Sequence, residues 1–210
     1  MEPLEYLVKT SQESIAIQTA FLKESGSLLV EAAQILGAAV RNGGKVLIFG
    51  NGGSAADAQH MAAEMIGKML VDRRPLPAIA LTTDSSNLTA LGNDFGYESI
   101  FLKQVQALAK SGDVVIGIST SGRSPNVISA MREARALGCK TIGLTGGEGT
   151  PLRENCDICL SASLGKNSSR IQETHIFIVH SLVDLLDRYF LEPPTPTSGS
   201  GQKRGGISHA

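Results

Sequence analysis

Residues 45–70 read KVLIFGNGGSAADAQHMAAEMIGKML. Lys45–Phe49 is a short apolar run, Gly50-Asn51-Gly52-Gly53-Ser54 is a turn, and from Ala55 to about Leu70 apolar residues return with helical spacing. That order predicts a strand, a tight turn and a helix. The unit recurs at Asp113–Ile118 (DVVIGI), followed by the polar turn Ser119-Thr120-Ser121-Gly122 and a helix to about Leu137. It begins once more at Lys140–Thr145 (KTIGLT), followed by Gly146-Gly147-Glu148-Gly149 and a short segment. Pro77–Leu81 and Asp157–Leu160 supply two more short apolar runs. Strands that alternate with helices need crossover connections, so the expected fold is α/β, a five-stranded parallel sheet with helices on both faces.

Outward from this frame, residues up to Gly43-Gly44 are helical in pattern, with Leu4, Leu7, Ile15, Ile17, Ala20 and Phe21 on a recurring face. Ser25-Gly26-Ser27 reads as a break, which predicts two helices before the first strand. Arg170 to about Phe190 predicts a long terminal helix whose apolar residues occupy more than one stripe. Such a helix is buried on several sides, part of it against a neighbouring subunit if the chain assembles. The sequence after Leu191, EPPTPTSGSGQKRGG and beyond, lacks apolar residues to fold, so residues 192–210 are expected to be a disordered tail.

The composition narrows the function. In 210 residues, 19 Lys and Arg face 20 Asp and Glu, a net charge of −1, and only 4% of residues are aromatic, with no Trp. A nucleic-acid binder needs a basic face and stacking rings, so no nucleic-acid partner is expected. Met1-Glu2-Pro3-Leu4-Glu5 is acidic where a signal peptide is basic, and no apolar run approaches the ~18 residues of a membrane span. The expected setting is the cytoplasm, without membrane contact. Three cysteines, Cys139, Cys156 and Cys159, make an odd set that suits a reducing compartment. Cys156-x-x-Cys159 has no second thiol pair and fits an alternating strand better than a zinc knuckle.

Two turns carry candidate chemistry. A glycine-rich turn from strand to helix lets backbone N–H groups approach an anion at the positive end of the helix dipole. Gly50-Asn51-Gly52-Gly53-Ser54 has that build, though a plain tight turn with Ser54 as N-cap has the same composition. The second turn, Ser119-Thr120-Ser121-Gly122-Arg123-Ser124, places four hydroxyls in six residues, more than capping needs. These hydroxyls and the neighbouring N–H groups suit the acceptor oxygens of a phosphate monoester. The spacing of a nucleotide P-loop is absent, and Gly50-Asn51-Gly52-Gly53 does not match the dinucleotide fingerprint, which leaves a small phosphorylated metabolite.

Among titratable groups, His60 and Glu64 stand at i, i+4 on one helix face, either sharing a metal or forming an ordinary surface pair. Gln172 and His180 lie eight residues apart on the terminal helix, about 12 Å along its axis. Their side chains converge only by leaning toward each other, or else two subunits contribute. His175, at another angle of that helix, and His209, in the tail, have weaker claims.

Taken together, Phe49 to His60 (FGNGGSAADAQH), Glu64, Leu81-Thr82-Thr83-Asp84, Gly92 to Gly96 (GNDFG), Gly117 to Gly122 (GISTSG) with Ser124, and Arg170 to His175 (RIQETH) with His180 resemble the bacterial phosphoheptose isomerases of the sugar isomerase (SIS) group. The resemblance covers roughly residues 1–190 in one order. It implies a single SIS domain over residues 1–191, of flavodoxin-like three-layer build. It also implies interconversion of sedoheptulose 7-phosphate and D-glycero-D-manno-heptose 7-phosphate through an enediol, the opening step toward ADP- or GDP-activated heptose for surface polysaccharide. Asn51, Gly52, Gly53, Ser54, Glu64, Asn93, Asp94, Ser119, Thr120, Ser121, Ser124 and Gln172 match substrate-contacting positions, the hydroxyl turn being the phosphate end. His60, Glu64, Gln172 and His180 match a site for one Zn2+ per active site, and Glu64 and His180 match the acid/base pair. Members are homotetramers whose active sites draw on adjacent subunits. Some carry an Asp just before the Arg-Ile-Gln-Glu run; here that position is Ser169.

Two non-catalytic readings compete. Proteins resembling the replication initiator-associating factor share the fold and the Ala-Gln-His and Arg-Ile-Gln-Glu signatures but lose the acid/base residues, whereas this chain keeps Glu64 and His180. A sugar-phosphate-sensing domain of a transcription regulator is disfavoured by acidic to neutral N-terminal helices with no DNA-binding segment.

Overall fold

The computed structural model describes residues 1–191; the tail expected at 192–210 lies outside the described residues. The chain folds as α1 (Pro3–Arg41), β1 (Val46–Gly50), α2 (Gly53–Ile66), β2 (Ala78–Ala80), α3 (Ser85–Phe95), a 3-10 turn (Tyr97–Ser99), α4 (Ile100–Leu108), β3 (Val114–Ser119), α5 (Pro125–Ala136), β4 (Lys140–Thr145), α6 (Pro151–Glu154), β5 (Ile158–Ser161) and α7 (Ser168–Leu191). All four strand pairings are parallel, in the order β2-β1-β3-β4-β5. This is the flavodoxin-like order, in which the sequence of strands reverses between β1 and β3.

Buried strands with continuous apolar runs feed both faces of the sheet. Val46, Ile48, Ile116, Ile142 and Leu144 pack with α1, α2 and α7, while Leu47, Phe49 and Val115 pack with α4 and α5. Side chains alternate along each strand, so one five-residue strand serves two cores. The three expected layers are present.

The start of the chain corrects one expectation. Instead of two helices broken at Ser25-Gly26-Ser27, α1 runs unbroken for 39 residues. A helix-interior glycine costs only about 1 kcal/mol. Phe21, Leu29, Leu36 and Val40, spaced by eight, seven and four residues, are buried on one face that spans the glycine and outweigh that cost. Residues 85–108, to which the sequence reading assigned no element, form α3 and α4. The terminal helix α7 buries Ile171, Ile178, Val179, Leu182, Val183 and Leu186 within the chain, mostly against α1 and α2.

Beside Lys45, Asp113 ties the edges of β1 and β3 together. Its carboxylate accepts from Lys45 N at 3.0 Å, Lys45 Nζ at 2.5 Å and Lys110 N at 3.0 Å. Burial pushes its pKa up, but these donors outweigh burial and hold it below the ordinary carboxylate value. Among the described residues no helix is long and apolar enough to cross a membrane, and all three cysteines are free.

Candidate active site

Ligands of open α/β sheets bind beyond the carboxyl ends of the strands where the strand order reverses. Here that crevice lies between β1 and β3, and the two turns singled out in the sequence follow those two strands. Gly50 pairs in register with Ile118, so the turns leave the sheet side by side.

The first turn is built by close approach. A Cβ on Gly50 would stand 2.7 Å from the Ile118 carbonyl oxygen, and Gly52 takes a φ of +57°. Glycine is the residue that both conditions favour. Gly52, not Ser54, is the N-cap of α2; Ser54 is buried inside the first turn, which corrects its reading as a cap.

The second turn is pinned from below. Gly122, at φ +63°, donates its N–H to the Ser119 carbonyl at 3.0 Å and accepts from Leu152 N at 3.0 Å, while the Thr120 carbonyl accepts from Gly146 N at 3.0 Å. Ser124 stands at the N-cap of α5 with no capping hydrogen bond from its side chain. Its hydroxyl lies 2.9 Å from that of Ser119, with Ser121 Oγ 3.5 Å from Ser119 Oγ. Hydroxyls that face one another rather than the helix end remain free to turn toward an anion. Thus Ser119, Ser121 and Ser124 converge, and the surplus of hydroxyls noted in the sequence is a local cluster.

Residues the sequence reading missed join the two turns. Asn51 and Asn126 exchange amide hydrogen bonds, each at 2.9 Å, and the Tyr97 hydroxyl donates to Asn51 Oδ1 at 3.0 Å. Asn126 is 2% exposed. An asparagine one residue after a helix-opening proline is the signal that could have found it, since a polar side chain buried there needs a partner. Asn93 and Asp94 lie at the exposed end of α3, where Asn93 Nδ2 donates to Asp94 Oδ1 at 2.7 Å.

The titratable residues gather between α2 and α7. His60 Nε2 lies 2.9 Å from His180 Nε2 and 3.6 Å from Glu64 Oε1. Gln172 packs its amide against Gly53, which lies two turns before His60 on α2. Asp57, one turn before His60, was also missed; burial pushes its carboxyl up to about 6, against the opposing pull of His60, and its Oδ2 has no partner. Among the described residues no group of three or more His, Cys, Asp and Glu side chains is arranged to hold a metal ion. The donor types present, two imidazole nitrogens, a carboxylate and an amide oxygen, do fit zinc in kind.

His175 is fully buried on the other side of α7. Burial pushes its imidazole down to about 4, only partly offset by the Thr145 backbone, and neither ring nitrogen makes a well-formed hydrogen bond.

A parallel sheet in the 2-1-3-4-5 order, a hydroxyl turn at the strand reversal and a carboxylate beside paired imidazoles define a sugar-phosphate isomerase of the SIS class, and the SIS domain family matches residues 11–146. The "Phosphoheptose isomerase" of Aliarcobacter butzleri is 52% identical over 176 residues, 84% of this chain and 91% of that protein. Solved phosphoheptose isomerases of Neisseria gonorrhoeae (42% identical, TM-score 0.83, 89% of this chain and 100% of that one) and Francisella tularensis (39% identical, TM-score 0.85, 90% and 100%) share the architecture. The chain belongs to the phosphoheptose isomerase family.

Proposed function

We propose that this isomerase interconverts sedoheptulose 7-phosphate and D-glycero-D-manno-heptose 7-phosphate. The observation that carries the reading is the meeting of His60, Glu64 and His180 on helices that rise from the same sheet as an uncapped hydroxyl turn. Ketose-to-aldose conversion moves one proton between C1 and C2 and another between O1 and O2 through an enediol. Glu64 moves the carbon proton and His180 the oxygen proton. Ser119, Thr120, Ser121 and Ser124 hold the phosphate, Asn51, Gly52, Gly53 and Ser54 form the adjoining wall, and Asn93, Asp94 and Gln172 meet the sugar hydroxyls. Relatives that share about half of their residues with this chain and carry the isomerase name support catalysis over the initiator-binding reading.

His60, Glu64, Gln172 and His180 are the residues that would hold one Zn2+. When bound, the ion supplies Lewis-acid stabilisation of negative charge on the substrate oxygens. We further propose a homotetramer that shares sites between subunits. Leu4, Leu7, Val8, Ile15 and Leu22 are all exposed on α1, a run of apolar surface that a second copy would cover. The product feeds heptose activation for surface polysaccharide, and the enzyme acts in the cytoplasm.

The test is NMR of the protein with sedoheptulose 7-phosphate in D2O, with chelator and with added zinc. An aldoheptose phosphate deuterated at C2 is expected, with turnover that falls on chelation and returns with zinc. No turnover under any metal condition overturns the assignment. Sedimentation of a monomer at micromolar concentration would overturn the tetramer.

A further inference from the structure

Arg73 belongs to none of the residues assigned above. It lies in the segment between α2 and β2, yet its side chain is only 2% exposed. Its Nε donates to Asp187 Oδ1 at 2.6 Å. Its Nη2 donates to the Glu64 carbonyl at 2.9 Å, and its Nη1 to the carbonyls of Met65 at 2.8 Å, Gly67 at 3.2 Å and Arg74 at 3.3 Å. The last carbonyls of a helix lack intrahelical partners and attract a cation, so this guanidinium closes the C-terminal end of α2.

The partner of this cap is on the other helix of the site. Asp187 is fully buried on α7, seven residues and therefore two turns beyond His180, on nearly the same stripe. One planar cation thus grips the backbone of Glu64 on α2 and a carboxylate on the helix that carries His180. Well-packed apolar residues commonly replace a buried ion pair at little cost, but here they would also leave the α2 carbonyls without a donor. What apolar side chains lack is the rigid fork that bonds a carboxylate and helix carbonyls in fixed directions.

We propose that Arg73, held by Asp187, is a positioning residue that sets the register of α2 against α7 and thereby places Glu64 and His60 against His180. The geometric half stands by itself. Its consequence for turnover rests on the isomerase reading above, and the experiment separates the two.

The experiment compares Arg73→Lys and the double variant Arg73→Met/Asp187→Leu with the parent full-length protein. Three readouts are taken: thermal midpoint, kcat and KM for sedoheptulose 7-phosphate, and the 1H–15N correlations of the His60 and His180 imidazoles in metal-free protein at one pH. In both variants kcat is expected to fall about 10- to 100-fold, as small misplacements of reacting groups do. KM should stay within about threefold, because the hydroxyl turn that binds phosphate is untouched. The imidazole signals should shift, and the double variant should melt below the parent, because the carbonyls of Glu64, Met65 and Gly67 lose their donor. Parent-like kcat and unshifted imidazole signals overturn the proposal. If the double variant does not fold, Arg73→Lys read below its midpoint gives the same two outcomes. If the parent itself turns over no heptulose phosphate, the isomerase reading fails, and the imidazole signals alone decide the positioning role.

Discussion

Ser119 is 3% exposed and starts a turn whose backbone is bonded at Gly122 and Thr120 to neighbouring segments, whereas the His60 side chain is 43% exposed and meets His180 across two helices. The first arrangement comes from six consecutive residues on one strand end; the second joins residues 120 positions apart. A phosphate is anchored by fixed donors, and a turn that is close-packed from below supplies them without reorganisation. Proton transfer needs side chains that reach the reacting atoms, and those protrude from a helix face, where packing of α2 on α7 decides their separation. On the proposed function, the rigid end would govern binding and the helix pair turnover.

The largest expected effect tests that division at its turnover end. Glu64→Gln should lower kcat by about 10²- to 10⁴-fold while KM for the sugar phosphate changes little, measured by NMR in D2O. Full turnover in this variant would remove Glu64 from the proton path.

At the rigid end, Gly122→Ala should cost about 2–4 kcal/mol, measured by urea unfolding. A Cβ there meets Thr150 Oγ1 and Thr145 Oγ1 closely, at a φ of +63° that L side chains rarely adopt. Parent-like stability would show that the turn is softer than its geometry indicates.

His175 lies beneath the same strand ends and reports whether they stay dry. Its imidazole is held at about 4, below the ordinary value near 6.5, so the unfolded chain binds the extra proton between those pH values. Stability present above pH 6.5 should drain by about 3 kcal/mol as pH falls through 4, and His175→Gln should flatten that slope. An equally steep slope in the variant would place the titration elsewhere.

Ser124→Ala removes one hydroxyl of the cluster proposed to hold phosphate. KM should rise about 10- to 100-fold, the effect of one hydrogen bond to a charged group, with a smaller change in kcat. A fall in kcat at constant KM would blur the division between the two ends.

The smallest effect is a control. Gly26→Ala, in the interior of α1 with nothing within 4 Å of its Cβ, should stabilise by about 0.5–1 kcal/mol by urea unfolding. Destabilisation would show that glycine effects in this fold do not follow local geometry.

Much of this molecule was legible residue by residue. The strands at Lys45–Phe49, Asp113–Ile118 and Lys140–Thr145 fall within a residue of β1, β3 and β4, because apolar runs bounded by glycine and hydroxyl turns have few other foldings. Legibility ended where local preference and packing disagreed. Ser25-Gly26-Ser27 signals a break, yet burial of Phe21 and Leu29 on either side carries α1 through it. α3 buries no residue fully, so residues 85–95 offered only the weak pattern of Leu88 and Leu91.

The sequence alone determined the α/β class, the two glycine- and hydroxyl-rich turns and the kinds of donor available, since each depends on neighbours along the chain. Only the tertiary structure decided that the turns share one crevice, that Asn126 and Tyr97 hold Asn51, that Ser124 leaves the helix uncapped, and that Arg73 joins the helices of Glu64 and His180. Those relations are contacts between segments far apart in the chain, and side-chain reach across them is set by strand order and helix packing rather than by spacing.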